Sequence, residues 1–192
     1  MVNYKIRNKN IKDYEIKDLR NHIGVVLQES ILFSGTIESN IKFGNNEATL
    51  EEMINSAKDS QALEFIESKE NKFKEKVEQR GRNLSGGQKQ RLSITRTLVR
   101  NNKILIMDDS SSALDMKTQE KLQNAINNRE KKETIITIAQ RISAVKDCDK
   151  IIVLDEGKIS NIGTHNELLK INEIYRSIAV SQLGEEMLEN VK

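Results

Sequence analysis

The sequence predicts an α/β fold on a largely parallel sheet, and three observations carry that prediction. Short aliphatic runs recur along the chain. Segments with helical spacing and capped starts alternate with them. The connections between the two kinds of segment are short. Four runs read as strands: Gly24–Gln28, Ile104–Met107, Thr134–Ala139 and Ile151–Leu154. Each is β-branched or aliphatic on both faces, the pattern of a sheet covered on both sides and hence mainly parallel.

Taken in order, the first strand ends at Gln28. From about residue 39 to residue 101 no convincing strand is found, and this stretch reads as a helical sub-lobe inserted between the first two core strands. Thr49-Leu50-Glu51-Glu52 is a capping-box pattern: hydroxyl and carboxylate each satisfy the other's backbone amide, and Met53, Ile54 and Ala57 then line one helical side. The Lys- and Glu-rich stretch Ser68–Glu78 reads as a solvated face. A helix runs from Gln88 to Arg100. After Asp115, Leu122, Ala125 and Ile126 follow helical spacing. Asp155-Glu156-Gly157-Lys158 is a tight turn between two strands, Gly157 being free to take positive φ. Thr164–Glu167 is a second capping box, opening the C-terminal helices of residues 163–192. The α/β core is expected in residues 1–38 and 102–162.

The composition excludes several functions. At 192 residues the chain is one domain in length. Lys and Arg number 31 against 29 Asp and Glu, a net charge of +2, so no basic excess is available to wrap nucleic acid. No apolar run approaches the ~18 residues of a membrane-spanning helix, and Met1–Lys5 lacks the apolar core of a signal peptide. The chain is expected in the cytosol. Cys148, the single cysteine, reads as a structural or surface thiol. His22 and His165 lie far apart and form no metal motif. The sequon Asn83-Leu84-Ser85 is an acceptor only in a secreted protein.

Two features carry chemistry. In Leu84-Ser85-Gly86-Gly87-Gln88 a serine and two glycines precede a helix. Unpaired amides and the positive dipole end at a helix N-terminus attract anions, and glycines let a ligand approach. A plain helix cap would look the same. In Ile104–Asp109 an aliphatic strand ends in two carboxylates. Asp108 could hold Mg²⁺ and Asp109 could orient or deprotonate an attacking water; either could also simply cap the next turn.

Together these residues closely resemble the nucleotide-binding domain of ATP-binding cassette transporters. Leu84–Gln88 matches the signature motif, Ile104–Asp108 Walker B, and Ser112-Ala113-Leu114-Asp115 the D-loop. Gln28 matches the Q-loop, and Gln140, within Ala139-Gln140-Arg141, falls at the switch position. Val77–Gly81 looks like the exporter subgroup's X-loop; Phe33–Ile37 and the tail from Gly163–Leu168 to Ser181-Gln182 look exporter-like too. The resemblance runs from about Lys12 to Gln182. It implies ATP and Mg²⁺ as ligands, with Asp108 on the metal, Asp109 and Gln140 catalytic, and Gln28 coupling nucleotide state to transmembrane domains. Ser85, Gly86, Gly87 and Gln88 would bind ATP held by a second such domain, and Asp115 would pack at the dimer interface. The implied location is the cytoplasmic side of the membrane, peripheral through transmembrane domains.

Three departures qualify the match. The chain has no Gly-x₄-Gly-Lys-[Ser/Thr] phosphate loop: its one Gly-Lys pair, Gly157-Lys158, is followed by Ile159, and Ile152 stands at the earlier glycine position. In the family that loop precedes the Q-loop by more than the 27 residues before Gln28, so the chain resembles a truncated domain. The family's usual Glu after Walker B is Asp109, one methylene shorter, and a misplacement of ~1 Å can cost ~100-fold in rate. The family's switch His is Gln140, which donates a hydrogen bond but carries no charge. Asp and Gln at these positions resemble the degenerate-site subunit of heterodimeric exporters. Simple decay in a fragment is the rival explanation. Other functions remain open: a free-standing module that only pairs with another cassette, or a soluble cassette ATPase of DNA repair or translation. Net charge and flanking motifs argue against the last.

Overall fold

The structure, a computed structural model, describes residues 5–6, 9–100, 102–110, 112–129 and 133–184. The chain divides into two compact units, residues 1–138 and 139–192.

The first unit opens with a small antiparallel pair, β1 (Lys5–Ile6) and β2 (Lys9–Asn10), followed by α1 (Ile16–His22). Its centre is a parallel sheet of β3 (Ile23–Val26), β6 (Ile104–Asp108) and β7 (Thr134–Ile138), with β6 in the middle. The parallel α/β architecture predicted from the aliphatic runs is thus present. Between β3 and β6 lie β4 (Gly35–Thr36), α2 (Ile37–Lys42), α3 (Leu50–Asp59), α4 (Leu63–Glu67), β5 (Lys76–Val77) and α5 (Gly86–Leu98). α6 (Met116–Asn127) connects β6 to β7. This stretch is helical, but not wholly free of strands: Gly35 and Thr36 pair antiparallel with Val77 and Lys76. Two-residue bridges carry no periodicity, so the sequence offers no sign of them.

α5 organises the unit because two of its sides are apolar. Leu92, with Val99 just past the helix end, joins Ile37, Ile41, Met53, Ala57 and Ile66 in one cluster. Ile94 and Leu98 join Val26, Leu105, Met107, Leu122 and Ile126 in another, beneath the sheet. Arg96 leaves the same helix toward the chain after β3. Its guanidinium donates to the Ile31 carbonyl (2.9 Å), the Asn40 carbonyl (3.0 Å) and Asn40 Oδ1 (2.8 Å). It also lies over the Phe33 and Phe43 rings, at 5.1 and 5.9 Å.

The expected two-sided covering of the sheet is not found. Val26 and Leu105 are fully buried, yet Val25, Ile136 and Ile138 on the opposite face are 45–52% exposed. Residues paired across parallel strands point the same way, so among the described residues that face is only partly covered: Ile104 and Ile106 of the central strand are half-buried, and the flanking Val25, Ile136 and Ile138 are exposed. The sequence pattern of a two-sided sheet exceeds what the described residues cover.

The second unit holds β8 (Ile151–Asp155), β9 (Lys158–Gly163), α7 (His165–Ile171) and α8 (Glu173–Leu183). β8, read from sequence as another core strand of the parallel type, pairs antiparallel with β9. The turn joining them is the predicted one, with positive φ at Glu156 and Gly157, as a hairpin with right-handed strand twist requires. Ile142, Ile151, Val153, Leu168, Leu169, Tyr175 and Ala179 form this unit's core. Among the described residues no helix is long and apolar enough to cross a membrane.

Candidate functional site

Ser85 is the N-cap of α5. Its Oγ accepts from Gln88 N at 3.3 Å, and Gln88 Oε1 accepts from Ser85 N at 3.0 Å, a reciprocal capping box. Gln88 is therefore turned back on the cap. The Ser85 hydroxyl proton remains available, and Ser85 and Gly86 are both exposed. Gly87 allows close packing: a Cβ there would stand 3.3 Å from the Ala113 carbonyl oxygen. Gln90, 2% exposed, accepts from Ala113 N at 3.0 Å. The helix start and the loop after β6 thus form one piece. Gln90 was not singled out from sequence; its signal was a lone amide on a helix face of otherwise buried residues.

Asp115 ends that loop and caps α6. Its Oδ1 accepts from Thr118 N (2.9 Å) and its Oδ2 from Thr118 Oγ1 (2.7 Å). These two bonds hold the carboxyl below its usual range, with Arg91 a smaller contributor. The geometry accounts for Asp115 as a helix cap before any interface is invoked.

The second grouping lies at the carboxyl end of the sheet. β3 stops at Val26, and Gln28 sits two residues beyond it, exposed. Its Nε2 donates to Asp109 Oδ2 at 3.2 Å. Asp109 has φ +42°, a left-handed conformation that Asp tolerates better than most residues but that still costs on the order of 1 kcal/mol. Its N–H, donating to the Ile138 carbonyl at 2.8 Å, fixes the bend. Asp108, the last residue of β6, pairs in register with Ile138. Sheet register and one sharp turn therefore place two carboxylates and a carboxamide at a single sheet end, where open α/β sheets bind ligands.

Gln140 belongs to the second unit and is exposed. Its carbonyl accepts from Gln182 Nε2 at 2.8 Å. The site residues predicted from sequence thus fall into two groups in the first unit, with Gln140 in the second. One group is Ser85–Gln88 with the Asp115 loop; the other is Gln28 with Asp108 and Asp109. Among the described residues no cluster of three or more His, Cys, Asp or Glu side chains could cage a metal. Asp108 and Asp109 beside one carboxamide are instead the kind of one- or two-carboxylate donor set that suits Mg²⁺ arriving with phosphates.

Comparison with known proteins identifies the family. The family described as ABC transporter matches residues 3–112. An ABC transporter ATP-binding protein of Bacillus subtilis, YknU, is 46% identical over 173 residues, covering 90% of this chain and 30% of the relative. An ATP-dependent lipid A-core flippase of Pasteurella multocida is 41% identical over 170 residues, covering 88% of this chain and 29% of its own length. A solved bacterial Atm1-family ABC exporter with ATP bound superposes with a TM-score of 0.88 at 36% identity, covering 94% of this chain and 32% of that one. The chain spans about three tenths of the length of these relatives.

Proposed function

The chain belongs to the ABC transporter family, and from that premise we propose that it is part of an exporter's ATP-binding domain that lends its signature segment to a nucleotide held by a second such domain. The observation that supports this most directly is the start of α5. Ser85, Gly86 and the Gly86 and Gly87 amides, which the Ser85 cap leaves unused, stand at a helix N-terminus braced by Gln90 against Ala113. That is an anion site built on a rigid support, suited to the γ-phosphate of a nucleotide presented by another subunit.

At the other grouping, Asp108 is the residue that would hold Mg²⁺. The ion supplies charge neutralisation for the phosphates when bound. Gln28 would sense the nucleotide and relay its state to transmembrane domains, since it lies in the segment leading to the Arg96 cluster. Asp109 would orient water from a shorter arm than a glutamate, and Gln140 would donate a hydrogen bond without adding positive charge. This subunit's own site is then weakly hydrolytic, and the second subunit is a different chain with the competent residues. The assembled protein would drive export across the membrane.

Substitution at Gly86 tests the signature reading. A Cβ at Gly86 meets nothing closer than Ala113 Cβ at 4.0 Å, and a carboxylate in the first helical turn favours the helix. Gly86→Glu should therefore fold while repelling a phosphate. Mixed with a full-length partner carrying an intact phosphate loop, the wild-type chain is expected to raise the partner's ATP turnover and Gly86→Glu to abolish the rise. Equal stimulation by both would refute the reading.

A further inference from the structure

The backbone around Gln140 is held by a side chain from the far end of its unit. Gln182, in the last turn of α8, donates from Nε2 to the Gln140 carbonyl at 2.8 Å and accepts at Oε1 from Ile142 N, also at 2.8 Å. One planar carboxamide thus serves an acceptor and a donor two residues apart, as a neighbouring strand would. The local chain does not do this itself: Arg141 precedes the short 3₁₀ turn Ile142–Ala144 and provides no side-chain cap. The turn's first amide, an orphan by geometry, is capped from α8 instead.

The placement of Gln182 follows from the packing of α8. Tyr175, Ala179 and Leu183 sit at i, i+4 and i+8 and pack into the cluster that contains Ile142. Gln182 lies on the edge of that same face. It is exposed, so changing it leaves the apolar cluster intact. Its chemistry is specific: Glu keeps the acceptor and loses the donor, Ala loses both, and Asn is one methylene short.

We propose that Gln182 is a positioning residue for Gln140. It fixes the backbone from which the switch side chain projects, so the C-terminal helix decides where that amide points. The last turn of α8 is then a handle on Gln140: whatever unwinds or displaces it frees that residue's backbone. The functional half of this inference rests on the reading of Gln140 as the switch residue; the clamp itself does not.

Site-resolved hydrogen exchange on the 192-residue chain tests the clamp. In Gln182→Ala, exchange at the Ile142 amide is expected to accelerate about fivefold, the worth of a typical net hydrogen bond of ~1 kcal/mol. In Gln182→Glu it should stay near wild type, because the acceptor remains. The ¹³C′ shift of Gln140 should move in both variants, because both lose the donor. A merely structural role would instead accelerate Tyr175 and Ala179 along with Ile142. That result, or unchanged Ile142 exchange in Gln182→Ala, overturns the proposal. In the full-length dimeric transporter, Gln182→Ala should reproduce the direction of the Gln140→Ala effect on ATP turnover, and an effect of Gln140→Ala alone also overturns it. If Gln140→Ala has no effect, the switch reading fails, and the exchange data still decide the clamp.

Discussion

The helical region of residues 37–98 and the parallel sheet beside it are both rich in aliphatic residues, yet they bury them differently. In the helical region Ile37, Ile41, Ala57, Ile66 and Leu92 are all fully inaccessible. In the sheet, burial alternates: Val26 and Leu105 are at 0%, whereas Val25, Ile136 and Ile138 stay roughly half exposed. The helices close around their own apolar side chains. The sheet closes on one face and, among the described residues, covers the other only along its central strand. Apolar content therefore marks where a core can form, while closure depends on which elements are present to cover it.

Side-chain truncation should separate the two regions most widely. Leu92→Ala removes a fully buried side chain where α5 meets the other helices, and about 2–5 kcal/mol of stability is expected to go with it. Ile138→Ala acts on a side chain already 52% exposed and should cost about 1 kcal/mol or less, since half-exposed sites leave no comparable cavity. Urea midpoints of the two variants decide the matter. Similar losses would show that the open face of the sheet is covered in solution.

Polar groups sharpen the same contrast on a smaller scale. Asn40 is 1% exposed and fully used. It accepts from Phe33 N and Arg96 Nη2 and donates to the Phe33 and Thr36 carbonyls. Asn40→Ala strands several buried partners and is expected to cost about 1–3 kcal/mol. Thr137, in the sheet, has a buried Oγ1 with no hydrogen-bond partner. Thr137→Val keeps its shape and removes the unsatisfied oxygen, so thermal unfolding should show no loss, or a small gain. A clear loss in Thr137→Val would reveal a partner for that hydroxyl.

The parts legible in the sequence were those with local causes. The caps at Thr49, Ser85 and Thr164 are all present, because a cap is an i, i+3 signal. The turn at Asp155–Lys158 is present because Gly157 supplies positive φ where the hairpin needs it. The Lys- and Glu-rich stretch is mostly solvated as read, apart from buried Val77, whose pairing with Gly35 comes from far along the chain. That β8 stands outside the parallel sheet, and that one sheet face is only partly covered, are not legible for a related reason: an apolar run states that a side chain is apolar, and says nothing of what meets it. At the candidate site, residue types were readable through family resemblance. The Gln28–Asp109 bond, the bend at Asp109 and the clamp by Gln182 depend on distant contacts and were not.

The smallest expected effect extends the comparison to the second unit, whose core carries a titratable seam. His165 Nδ1 and the Tyr175 hydroxyl are 2.7 Å apart, with the rings edge to face at 5.7 Å. Burial, reinforced by Lys146 and opposed by Asp147, holds His165 below its ordinary value of 6.5. Burial, followed by the nearby Cys148, pushes the Tyr175 hydroxyl up to about 12; it therefore stays protonated across the relevant range. Because the histidine's folded value is depressed, the unfolded state binds the more protons below pH 6.5. The stability His165 contributes is fully present above 6.5 and is lost as pH falls through the folded value. Hydrogen exchange should therefore loosen within residues 165–183 between pH 7 and pH 5. Residues 37–98, which contain no histidine, should change less. His165→Gln keeps a hydrogen-bonding side chain and cannot titrate, so it should flatten the response. If acid loosens residues 165–183 equally in His165→Gln, the seam is not the source, and the two units respond to acid through their carboxylates instead.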